Sequence, residues 1–152
     1  MTGHSTDRTN DERQLRPREK KGGLEQWVEY VFFAVGEVTF LGLPAFALLM
    51  LAEPNGPLKF AAIFVWATLA LITGTMRCEW HDIRWPRMTP VLVVVRLCYY
   101  NAVILTVSYF GAMADITLHS PAVTAAVAVV LSFGCALAFP RVAEFVTASV
   151  PN

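Results

Sequence analysis

Charge is what this sequence lacks over most of its length. No Asp, Glu, Lys or Arg occurs between Glu37 and Glu53, between Lys59 and Arg77, between Arg96 and Asp115, or between Asp115 and Arg141. Runs of that kind exclude an ordinary soluble domain, whose surface helices set a charged face against an apolar one. Cysteine is scarce too: Cys78, Cys98 and Cys135 fall within the apolar blocks or on the basic side expected to be cytoplasmic, so they are expected to be reduced and no disulfide framework is implied. Also missing are a nucleophile elbow, a phosphate-binding glycine loop, histidine pairs spaced for haem or zinc within the apolar runs, and an aspartate cluster. These absences disfavour an enzyme, and no catalytic residue, cofactor or metal is expected.

What is present is apolar length. Of 152 residues 55% are hydrophobic, and the mean hydropathy is +0.49, outside the soluble range. The apolar residues fall in four blocks, 27–52, 60–76, 91–113 and 122–139, each near or above the roughly 20 residues that a helix needs to cross a bilayer. The sequence therefore predicts an all-α fold, an integral membrane bundle of four transmembrane helices. Residues 1–23 read as a disordered charged tail, 24–140 as the membrane domain and 141–152 as a short tail whose Val142, Phe145 and Val146 lie along the interface. The first block runs past the ~7 to 15 residues of a signal-peptide core, so it is read as a retained anchor.

Basic residues set the expected orientation. Arg8, Arg13, Arg16, Arg18, Lys20 and Lys21 precede the first span, Arg77, Arg84 and Arg87 lie in the 77–90 loop, and Arg141 follows the last span, against Lys59 alone on the other side. Both termini are expected to be cytoplasmic, in the cell membrane. The partners expected are the lipid bilayer and further subunits, as a homo-oligomer or with other membrane proteins. No nucleic acid is expected.

Within the spans, polar groups are few enough to consider singly. Glu37 lies near the middle of the first block, where a charge is costly unless it faces a bundle interior or a wet cavity. At 100° per residue, Gln26, Tyr30, Phe33, Ala34, Phe40, Leu41, Pro44 and Leu48 share its side, and that face is expected to turn inward. Gly42 and Pro44 predict a kink. In the second span Ala61, Thr68 and Thr75 recur every seventh residue, and Ala70 and Gly74 form a small-xxx-small pair suited to close packing. The third span carries Arg96 and Asn101, five residues and therefore about 140° apart. Arg96 either snorkels to the interface or reaches inward to a carboxylate. Asn101 begins a seam with Ser108 and Asp115, suited to hydrogen bonds between helices. Ala128, Ser132 and Ala136 give the fourth span a small-residue ridge, and Pro140-Arg141 is expected to end it. Cys78-Glu79-Trp80-His81-Asp82 gathers potential ligands but has no second Cys/His pair nearby, so it reads as an interfacial loop.

Glu37 and Arg96, with Asn101 as a further candidate, thus form the expected intramembrane polar centre, and Gly42, Pro44, Gly74, Ser108 and Ser132 the expected packing positions. Spans two and four each run into an arginine followed by an acid and an aromatic, Arg77-Cys78-Glu79-Trp80 and Arg141-Val142-Ala143-Glu144-Phe145. With Phe32-Phe33-Ala34-Val35-Gly36 at the first span's entry, this pattern distantly resembles the GtrA-type four-span proteins. The resemblance implies a role in moving polyprenyl-linked sugars. The asparagines which that family tends to carry before its arginines are replaced here by Thr75-Met76 and Phe139-Pro140. Two functional readings follow. One is a structural or interaction subunit of a membrane assembly. The other is a small transporter or flippase in which Glu37 lines a path for a proton, an ion or a lipid headgroup.

Overall fold

The computed structural model describes residues 22–78 and 89–149. They form four helices, α1 (Gly23–Leu51), α2 (Asn55–Arg77), α3 (Pro90–Leu118) and α4 (Pro121–Ser149). The fold is all-α, and each helix is long and apolar enough to span a membrane. At 1.5 Å per residue the three 29-residue helices reach about 43 Å, more than a ~30 Å hydrocarbon core. Most of the charged N-terminal tail, most of the 77–90 loop and the potential metal ligands Glu79, His81 and Asp82 lie outside the described residues.

Short turns fold α2 back on α1 and α4 back on α3. α2 and α3 pack together at the centre, each touching both α1 and α4, while α1 and α4 have no contact with one another among the described residues. One end of the bundle, the Arg77 end, collects the start of α1, the end of α2, the start of α3 and the end of α4. The opposite end holds the two tight turns. Local chemistry accounts for several helix boundaries. Pro90 occupies the first turn of α3, and the Thr89 hydroxyl accepts the Leu92 N–H at 3.3 Å. His119 stops the same helix in the left-handed conformation, φ 50°, its N–H donating to the Asp115 carbonyl at 2.7 Å.

Small residues set the helix spacing. A Cβ on Gly74 would lie 2.6 Å from the Val31 Cα, so α1 and α2 meet there backbone to backbone. A Cβ on Gly42 would meet the tip of the Ile104 side chain, at 2.7 Å, which a rotamer change relieves more readily. Ala128, Ser132 and Ala136 are buried along α4.

Three expectations need correction. The inward stripe of α1 is Ala34, Val38, Gly42, Ala45 and Leu49, whereas Phe33, Phe40, Leu48 and Pro44, an expected packing position, face outward. Glu37 sits on the shoulder of that stripe, ~100° from its centre; close approach selects the small residues for the contact, and the longer carboxylate side chain reaches in from the side. The fourth helix does not end at Pro140-Arg141 but carries Pro140 inside it and continues to Ser149. The seam on α3 does not act as a unit, since Asn101 bonds across to α1 while the fully buried Ser108 hydroxyl has no hydrogen-bond partner among the described residues, nor has that of Ser132.

Candidate functional site

The helix termini determine where the polar side chains can meet. Every Cα–Cβ bond leans toward its helix's N-terminus. On α1 and α3 that direction is toward the Arg77 end, so Glu37 and Arg96 lean outward along the bundle. α2 runs the other way, and the side chain of its last residue, Arg77, leans back into the bundle. These directions bring the three charges together.

Glu37 is the hub. Its Oε1 accepts from Arg96 Nη1 at 3.1 Å and from the Tyr100 hydroxyl at 3.1 Å, and its Oε2 accepts from Arg77 Nη2. The side chains of Arg96, Glu37 and Arg77 are 2%, 8% and 15% exposed, so the ion pairs are shielded from solvent and from ionic screening. Helix α4 closes the other side. The Arg96 guanidinium carbon lies 5.7 Å from the centre of the Phe139 ring, which packs against Tyr99 and Tyr100 with ring centres 5.2 and 5.9 Å away. A guanidinium over an aromatic face gains a cation–π contact without needing a further acid. All four helices therefore contribute to one cluster.

Asn101 does not join it. The amide is set between the donor and the acceptor of one turn of α1: Ala45 N–H donates to its Oδ1 at 2.7 Å, and its Nδ2 donates to the Leu41 carbonyl at 2.7 Å. The second Nδ2 hydrogen goes to Leu97 on its own helix at 2.6 Å. Pro44 explains the position. A proline inside a helix disturbs the preceding turn and loosens its hydrogen bonds, and in an apolar medium a neighbouring helix must satisfy the freed groups. Tyr99 makes a single bond to α4, its hydroxyl donating to the Cys135 carbonyl at 2.6 Å. The carbonyl that Pro140 leaves without a helical donor is that of Ala136, so this bond ties α3 to α4 rather than repairing the turn at the proline.

Of the residues singled out in the sequence, Glu37 and Arg96 are joined directly, and Asn101 is separate. Tyr100 follows Arg96 by one helical turn and shares its face, a placement the sequence shows, whereas Arg77 and Tyr99 complete the arrangement without a comparable signal. Arg77 looks interfacial because it ends an apolar run beside tryptophans, but its place as the last residue of a helix pointing out of the bilayer already makes its side chain lean inward. Arg141, its counterpart in the internal parallel, is exposed, so the two arginines are not equivalent. Cys78, just beyond α2, is buried, and desolvation pushes its thiol above the ordinary value. No group of three or more His, Cys, Asp or Glu side chains placed to hold a metal occurs among the described residues.

Comparison with curated proteins and with solved structures gives no match. Residues 21–146 match the family described as a domain of unknown function (DUF8215), and the chain belongs to that family.

Proposed function

We propose that the protein is a structural or interaction subunit of a membrane assembly, and that its polar centre serves to hold its own helices in one arrangement. The observation that carries this reading is the occupancy of Glu37: both carboxylate oxygens are engaged by donors from two other helices. A pathway group must exchange its partners with a passing proton, ion or headgroup, and here any visitor has to displace an arginine or a tyrosine. The Asn101 amide is likewise fully used within the fold. The basic residues outside the spans favour placing both termini in the cytoplasm.

A double-mutant cycle tests the reading. Glu37→Gln and Arg96→Met are each expected to lower thermal stability in detergent, with a combined loss smaller than the sum by about 1 kcal/mol. Strictly additive losses would reject the coupling. A Glu37→Gln protein that keeps wild-type stability but abolishes a transport activity would favour the alternative, a small transporter or flippase with Glu37 in its path. Purification from native membranes in mild detergent addresses the assembly itself, where a stoichiometric partner or a homo-oligomer is expected.

A further inference from the structure

At the end opposite Arg77, a groove of about 450 Å³ opens between α1 and α2. Its mouth holds Lys59 and Met50, its walls Phe46 and Ile63, and its deep end Thr39 and Trp66. The deep end offers no free polarity. The Trp66 indole N–H donates to the Thr39 hydroxyl at 3.0 Å, and that hydroxyl donates to the Val35 carbonyl at 2.6 Å. The groove follows about 16 Å of α1 from Met50 to Thr39 and about 10 Å of α2 from Lys59 to Trp66, with the long lysine stem free to extend beyond the mouth, and one leaflet of a ~30 Å hydrocarbon core is ~15 Å deep. The single charge at the mouth is Lys59, which forms no ion pair among the described residues; the nearby Glu53 carboxylate accepts from the Asn55 N–H at 2.9 Å instead.

We infer that this groove binds one acyl chain of an anionic glycerophospholipid, with the lipid phosphate at Lys59 and the chain end at Trp66. The inference needs the helices to span a bilayer but does not depend on the role of the Glu37 centre. Length, apolar lining and charge agree on this occupant. A chain inserted from the Lys59 end covers apolar surface down to the midplane, and its headgroup arrives at the level of a lysine that has no counter-ion among the described residues. An ammonium is suited to a phosphate as a point charge on a flexible stem.

Trp66 provides the readout. A protein carrying Trp27→Phe, Trp80→Phe and Trp85→Phe keeps Trp66 as its one indole, and bromine on lipid chains quenches indole fluorescence on contact. The protein is reconstituted in phosphatidylcholine vesicles containing a minor fraction of chain-brominated phosphatidylglycerol, or the same fraction of chain-brominated phosphatidylcholine. The anionic lipid is expected to occupy the site about five-fold more readily, the scale of one lysine acting on an anionic headgroup, and Lys59→Gln is expected to equalise the two. Equal quenching by both lipids in the protein with Lys59 would overturn the inference and leave ordinary boundary lipid. A preference that survives Lys59→Gln would overturn the phosphate contact. Absence of quenching by either lipid would overturn it too, and mean that protein, such as a second copy of the chain, fills the groove. Ile63→Trp added to a Trp66→Phe background provides a second reporter at the wall, so a failure of one variant to fold leaves the inference testable.

Discussion

Five residues apart on α3, Arg96 and Asn101 hold the same neighbour, α1, by different physics. Arg96 meets Glu37 through charge, with Arg77 and Tyr100 converging on the same carboxylate. Asn101 meets Leu41 and Ala45 through a neutral amide that stands in for the peptide groups loosened by Pro44. They lie ~140° apart around the helix and ~7.5 Å apart along it, which is why they form two stations. The ionic station depends on long side chains from three helices and tolerates a carboxylate on the shoulder of α1. The amide station requires backbone proximity and has a single geometry. One follows from the need to neutralise a buried charge, the other from a local defect in a helix.

The largest effect is expected where a charge is stranded. Glu37→Ala leaves two guanidiniums around an empty carboxylate position and should cost about 3 kcal/mol, read as thermal or denaturant unfolding in detergent. Because the cluster is shielded, that loss should be nearly the same at low and high salt. At the amide station, Asn101→Leu should cost about 2 kcal/mol by leaving the Ala45 N–H and the Leu41 carbonyl unsatisfied. The same change in a Pro44→Ala background should cost much less, since a straightened α1 can pair those two groups with each other; equal losses in both backgrounds would refute the repair role of Asn101.

Contact without polarity comes next. Gly74→Leu forces side-chain volume against the Val31 backbone and should destabilise by about 2 kcal/mol. Gly42→Ala meets the Ile104 side-chain tip and should cost less than half of that. The smallest effect belongs to Tyr99→Phe, which removes one bond to the Cys135 carbonyl and should cost about 0.6 kcal/mol. If Tyr99→Phe proved as damaging as Glu37→Ala, the distinction between charged and neutral contacts would fail.

Much of the fold is legible in the amino-acid sequence. Four apolar blocks near or above the spanning length require helices in an apolar medium, and the turns between them are marked by Glu53-Pro54-Asn55-Gly56-Pro57 and by His119-Ser120-Pro121. The boundaries are less legible. Pro140 reads as a stop because the rule considers one helix in isolation, whereas α4 runs on through a Pro140 that is buried against its neighbours. The inward face of α1 escapes a sequence reading for a related reason. A face centred on Glu37 is the natural choice when the charge is the most conspicuous residue, yet the contact is formed by Ala34, Gly42 and Ala45 because they allow α1 to come close. The direction of the Arg77 Cβ does point to the cluster, but the tryptophans beside it in the loop point to an interface.

By itself, the sequence determined that helices form, how many there are, and that Glu37 and Arg96 would each need a polar partner, because length, hydropathy and the cost of an unpaired charge act along a single chain. Only the tertiary structure decided which partners they have. Arg77 joins Glu37, Asn101 turns to the backbone beside Pro44, and Tyr99 to the Cys135 carbonyl of α4, because these outcomes depend on how closely and in which direction separate helices approach.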